Sequence, residues 1–164
     1  MLSIDITYMS CLFNSLSAFI PKSSYDIRQD ICDYLEQNQP LIEGLDTKFI
    51  LDLENPNYIR DMRHTSTWGG ANEIQSACSI WKMRVIVKNY RNRGQKDIEF
   101  VPVNQSYDTT VYVYWTGGHY EPCRETYVSP TTPSYVFYTL EDLHLWTFTP
   151  FYISNADFSS YKNI

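Results

Sequence analysis

The period of the apolar residues changes once along this chain, near residue 82, and that change restricts the fold class more than any other feature. Before it the spacing is helical. In SSYDIRQDICDYLEQN, residues 23–38, Ile27, Ile31, Tyr34 and Leu35 recur at i, i+4, i+7 and i+8. Ser23 with Asp26 resembles a capping box at its start, and Pro40 punctuates its end. PLIEGLDTKFILDL, residues 40–53, is expected to be a second, less regular helix, and NPNYIRDMRHT, residues 55–65, a short third one. In residues 65–82 Gly69 and Gly70 make a turn, and Ala71, Ile74, Ala77, Cys78 and Trp81 then line one helical face. After it the period is two. MRVIVKN (83–89), DIEFVPV (97–103) and TVYVYW (110–115) read as strands. Helices followed by strands give an α+β fold.

A length of 164 residues suits one domain, and a chain of this size buries roughly 70% of its unfolded surface without needing a disulfide or a metal. Residues 127–153 hold Tyr127, Tyr135, Phe137, Tyr138, Trp146, Phe148, Phe151 and Tyr152, too apolar a set for a disordered tail. The expected organisation is a core over 1–126 and an aromatic-rich extension, 127–164, packed on the same domain, with the final residues frayed.

A net charge of −6 argues against nucleic acid as a partner, since phosphate binding needs a basic footprint. It suits a basic protein tail as substrate. The local exception is residues 82–96, with Lys82, Arg84, Lys88, Arg91, Arg93 and Lys96, read as the solvated face of a strand and its turn. No apolar run is long enough to span a membrane, and the N-terminus lacks the basic region of a signal peptide. The cysteines, at 11, 32, 78 and 123, have neither disulfide-framework nor zinc-ribbon spacing, so a reducing, cytoplasmic compartment is expected. Cys32 and Cys78 fall on apolar helix faces and read as core.

Cys11 stands directly before Leu12, Phe13, Leu16, Phe19 and Ile20, an apolar set with helical spacing. It is either a small core hydrophobe or a nucleophile at a helix N-terminus, where unpaired N–H groups favour a thiolate. A distant histidine weighs for the second reading. The third strand runs into GGHYEP, where Gly117 and Gly118 give a tight turn that leaves His119 rigidly held but accessible, as a general base must be. Glu121, at i+2 in an extended segment, points to the same side and can orient the imidazole. His64 reads as a solvated or capping residue and His144 as a strand surface position, and neither has an acid at i+2. A metal at His119 and Cys123 would need two more ligands at zinc spacing, so none is expected.

Three blocks now match a family. CLFNSLS is similar to the nucleophile block of the OTU (ovarian tumour) cysteine proteases, which are deubiquitinating enzymes. WGGANEIQSACSIWKMRVIVKN resembles their W-G-(G)-x-x-E-(I/L)-x-A segment, and GGHYEP resembles their His-Tyr-(Asn/Asp/Glu) ending. The resemblance spans residues 5–124 and implies a papain-type fold, a small mixed sheet between helical layers, with no cofactor. It makes Cys11 the nucleophile, His119 the base and Glu121 its orienting acid, with Trp68, Gly69 and Gly70 structural. Backbone amides of Tyr8, Met9, Ser10 and Cys11 would form the oxyanion hole, where Ser10 adds a hydroxyl donor. The family has Asp-Gly-(Asn/Asp) at 8–10 instead.

The activity implied is hydrolysis of the isopeptide bond after the C-terminal glycine of ubiquitin or a ubiquitin-like protein. That tail ends Arg-Gly-Gly, so a narrow channel with an acidic wall is expected, with Glu54, Asp61 and Asp108 as candidates. Two other readings stand beside it: a ubiquitin-binding module without cleavage, motivated by the altered 8–10 stretch, and a protease that processes its own polyprotein. The composition, rich in Asn, Tyr and Ile, suits a viral or parasite source acting in a host cytosol.

Overall fold

The computed structural model describes residues 9–89 and 96–123. The expected extension, 127–164, lies outside them, as do Tyr8 and His144. Among the described residues five helices precede four strands: α1 (Cys11–Leu16), α2 (Ser24–Glu36), α3 (Thr47–Glu54), α4 (Tyr58–Met62) and α5 (Ala71–Trp81), then β1 (Met83–Asn89), β2 (Ile98–Phe100), β3 (Thr109–Trp115) and β4 (Tyr120–Cys123). The strands form one mixed sheet in the order β2-β1-β3-β4. β1 and β3 run parallel, and the two outer pairs are antiparallel.

Local chemistry sets most boundaries. The Ser23 hydroxyl oxygen accepts from the Asp26 amide at 3.1 Å and starts α2 as its sequence predicts. Lys82 ends α5 in the left-handed conformation, φ 48°, and β1 begins at the next residue. Elsewhere the elements are shorter than expected. α1 stops at Leu16, and Ile20 reaches the core from the turn beyond it. The helix expected from residue 40 starts at Thr47. Gly44, at φ 76°, turns the chain first, and the Asp46 carboxylate caps the Phe49 amide at 2.8 Å. β2 has three residues rather than seven.

Strand alternation gives the sheet two unlike faces. Met83, Val85, Val87, Ile98, Phe100, Val111 and Val113 are buried together. Cys32 and Cys78 join that core, fully buried. The opposite face carries Arg84 paired with Glu99 and Lys88 paired with Asp97, so these cations of the basic stretch have partners within the sheet. In β4 the two-residue offset continues. Tyr120 opposes Trp115, their rings 4.5 Å apart, while Glu121 opposes Tyr114. α1 packs against β4 and α2, so the first described helix meets the last described strand.

Candidate active site

Cys11 is the first residue of α1 and only 3% exposed. Its sulfur accepts a hydrogen bond from the Tyr120 backbone N–H at 3.4 Å. That contact brings the chain next to His119 onto the thiol from 109 residues away. The turn before it is tight: Gly117 takes φ 97°, open only to glycine without strain, and the Thr116 N–H donates to the His119 carbonyl at 3.1 Å.

His119 Nε2 lies 3.6 Å from Glu121 Oε1, longer than a hydrogen bond, and the contact becomes an ion pair only when the imidazole is protonated. Glu121 keeps 59% of its side chain exposed, whereas the other ring nitrogen, Nδ1, is buried. The structure thus gathers Cys11, His119 and Glu121 at one end of the β3–β4 hairpin.

Burial lifts the Cys11 thiol above its ordinary value, outweighing the amides of Tyr120 and Leu12, its own amide and the charge of Arg28. The depression expected from a helix start is present but smaller than the desolvation term. A six-residue helix offers few aligned dipoles against near-complete burial. At neutral pH the proton therefore rests on sulfur, and attack needs a base to remove it.

The WGG turn supports this arrangement sterically. A Cβ built on Gly69 would stand 2.8 Å from Phe13 Cε2 and 2.9 Å from Leu12 Cδ2. Both belong to the helix that begins with Cys11. The Gly70 N–H donates to the fully buried Glu73 carboxylate at 2.6 Å, and Tyr58 donates to it at 2.8 Å. Trp68 packs against the core edge.

Ser10 differs from expectation. Its hydroxyl donates to the Thr65 carbonyl at 3.2 Å and accepts from Arg28 Nη2 at 3.2 Å. Its proton is therefore committed to Thr65, so the hydroxyl adds no donor for an oxyanion. Met9 precedes it, half-buried.

Beside the hairpin runs a groove of about 610 Å³, lined by Trp68, Gly69, Gly70, Trp115, Gly118 and Tyr120 and, further along, by Glu54, Asp61 and His64. Two of the three acidic residues singled out in the sequence thus face one channel. Asp108 does not: it lies just before β3, at the other end of the strand, its N–H bonded to the Lys82 carbonyl. Asn55 and Arg60 hold the Asp61 carboxyl below the usual carboxylate range, so it is ionised at neutral pH. His64, read as a solvated or capping residue, is exposed and lines the groove.

Sequence reasoning missed Arg28 and the depth of Glu73, 1% and 0% exposed. A signal existed for the first: Arg28 lies between Ile27 and Ile31 and four residues before Cys32, within the buried stripe of α2.

Comparison with known proteins places this geometry. The sequence-family profile described as OTU-like cysteine protease matches residues 10–120. No curated protein sequence matches. Among solved structures, an ovarian tumour (OTU) domain in complex with ubiquitin is 22% identical with a TM-score of 0.55. The match covers 74% of this chain and 66% of that one. An OTU deubiquitinase from Wolbachia pipientis wMel is 20% identical with a TM-score of 0.51, over 70% of this chain and 82% of that one. At such identities these structures share the fold, and the profile supplies the family: the chain belongs to the OTU-like cysteine proteases.

Proposed function

We propose that this chain is a deubiquitinating cysteine protease that hydrolyses the isopeptide bond after the C-terminal glycine of ubiquitin or a ubiquitin-like protein. The observation that carries the reading is the Tyr120 N–H bond to Cys11 Sγ, which brings the nucleophile against the His-Tyr-Glu segment, whose Tyr120 also lines the groove. Cys11 is the nucleophile, His119 the general base and Glu121 the acid that orients it. His119 takes the thiol proton as sulfur attacks the glycine carbonyl. Backbone amides around residues 8–11 hold the oxyanion, and His119 then protonates the leaving lysine amine. Water, activated by His119, hydrolyses the thioester. Glu54 and Asp61 give the groove the negative wall that an arginine-containing tail requires.

The ubiquitin-bound OTU domain and the Wolbachia deubiquitinase among the similar solved structures support the substrate class. Four free cysteines support a reducing cytosol as the place of action, and the composition suits a viral or parasite enzyme in a host cell.

Ubiquitin carrying a C-terminal electrophile tests the reading. Covalent labelling of the wild type and none in Cys11→Ala is the expected result. Labelling that survives Cys11→Ala, or is lost in folded Cys78→Ala or Cys123→Ala, overturns the assignment. The Tyr8-Met9-Ser10 stretch favours a second reading, a module that grips ubiquitin without cleaving it. Stoichiometric binding with neither labelling nor cleavage would select that one. Cleavage confined to a junction in the chain's own precursor would select polyprotein processing.

A further inference from the structure

Arg28 is the bulkiest of the fully buried side chains, 1% exposed, and it sits under the nucleophile's helix. Its guanidinium lies 3.9 Å from the centre of the Phe13 ring. Nη1 donates to the Met62 carbonyl at 2.9 Å, and Nη2 donates to Ser10 Oγ at 3.2 Å. Ser10 passes the link on to the Thr65 carbonyl. One planar fork thus ties α2, the end of α4 and the residue before the nucleophile.

The partners are unusual for a buried cation. They are a carbonyl, a hydroxyl and an aromatic face; no carboxylate forms an ion pair with Arg28 among the described residues. Glu73 acts on it only at longer range. Burying a charge this way is costly, and for stability alone a hydrophobic residue of similar volume would serve as well or better. The guanidinium's field, offset in part by Glu73, reaches Cys11 in the first turn of α1.

We propose that Arg28 is a positioning residue for the nucleophile: it fixes Ser10, and with it the start of α1, and it sets a permanent positive charge beside the turn that carries Cys11. The inference rests on the reading of Cys11 as nucleophile. Its action falls on the attack step, in which sulfur gives its proton to His119 and becomes anionic before the carbon–sulfur bond forms. A fixed cation favours that anion without moving. Among the described residues, Tyr120 on the hairpin is the ionisable neighbour of Cys11 beside Arg28, with His119 next to it in the chain; Glu73 on α5 acts on Arg28 and Tyr120, and Cys32 on α2 acts on Arg28. The raised Cys11 value already contains Arg28's opposing pull.

The test alkylates the free protein with iodoacetamide across pH, reads Cys11 by peptide mass spectrometry, and uses Cys78 as the reporter of unfolding. A second readout is turnover of a ubiquitin substrate, split into kcat and KM. Arg28→Gln is expected to slow Cys11 alkylation about tenfold at pH 8, through a midpoint moved to higher pH, and to lower kcat more than KM changes. Arg28→Lys keeps the charge but cannot serve Met62 and Ser10 together. Its alkylation midpoint should stay near wild type while kcat falls about threefold to tenfold. A folded Gln variant with the wild-type alkylation profile overturns the proposal. So does a Lys variant whose midpoint moves as far as the Gln variant's, or whose kcat is unchanged. If Arg28→Gln exposes Cys78, the Lys variant alone decides. Alkylation involves no ubiquitin, so it remains informative where the substrate reading fails.

Discussion

Tyr120 donates its backbone N–H to the sulfur of Cys11, and its own side chain is buried against Trp115 on the neighbouring strand. Tyr120, between the proposed base and the proposed acid, is thus a structural anchor. It locks β4 to the sheet by its ring and to the nucleophile by its amide. His119 and Glu121, on either side of it, inherit their positions from that anchor.

The raised Cys11 value predicts how the resting thiol reacts. Thiol ionisation is opposed in the folded state, so alkylation should climb with pH toward a midpoint above the ordinary thiol value of 9.0. A thiolate–imidazolium pair already formed at rest would instead give a plateau in the acid range, and that profile would refute the general-base account. The sign also bears on stability. A folded value above the unfolded one contributes stability that is present below about pH 9 and is lost as pH rises through the folded value. Cys32, pushed by burial up to about 12, adds to the same alkaline loss.

Glu121 separates a triad from a dyad. At 3.6 Å from Nε2 and largely exposed, it stands beside the ring without a tight hydrogen bond to it. An amide can still orient the imidazole, so Glu121→Gln should cost about tenfold in turnover and Glu121→Ala about 10² or more. Wild-type turnover in a folded Glu121→Ala, checked by circular dichroism, would leave a Cys–His dyad.

Gly69→Ala should act on the nucleophile through packing. Its Cβ would press on Leu12 and Phe13 inside the core, and overpacking of this kind costs about 1–3 kcal/mol. The expected drop in Tm is about 2–10 °C, with turnover reduced beyond the loss of folded protein because α1 must shift. Unchanged Tm and unchanged turnover would show that the helix gives way freely and that the glycine has no steric role.

Charge reversal in the groove should weaken substrate binding more than chemistry. Glu54→Lys and Asp61→Lys are each expected to raise KM for a ubiquitin substrate by up to about fivefold, the range of one exposed ion pair, with little change in kcat. The increase should shrink in high salt. A KM unaffected in both variants would mean that the tail takes another path.

Much of this architecture was legible because it is written in local patterns. The change of period predicts β1 to the residue, and the Ser23 cap and the Gly69–Gly70 turn mark the starts of α2 and α5. What escaped depends on distant partners. α3 starts late because Gly44 and Asp46 override the helical run, and nothing in periodicity ranks a turn against a helix there. Arg28 reads as surface by charge, and its burial rests on Ser10 and Met62, 18 and 34 residues away. Ser10's hydroxyl was assigned to the oxyanion because the sequence does not reveal Thr65 beside it. The groove, built from α3, α4, the WGG turn and the hairpin, has no sequence signature of its own. Its acidic candidates could be named but not placed.

The 109-residue span between the Cys11 sulfur and the Tyr120 amide sets an order in time. During synthesis at about 5–20 residues per second, the cysteine emerges on the order of ten seconds before its hairpin exists. Through that interval it lacks the base and the amide that work on it, so the nascent chain carries an ordinary thiol. Only when β4 pairs with β3 does hydrolytic power arise, all at once. Completion of the sheet therefore serves as the enzyme's activation step.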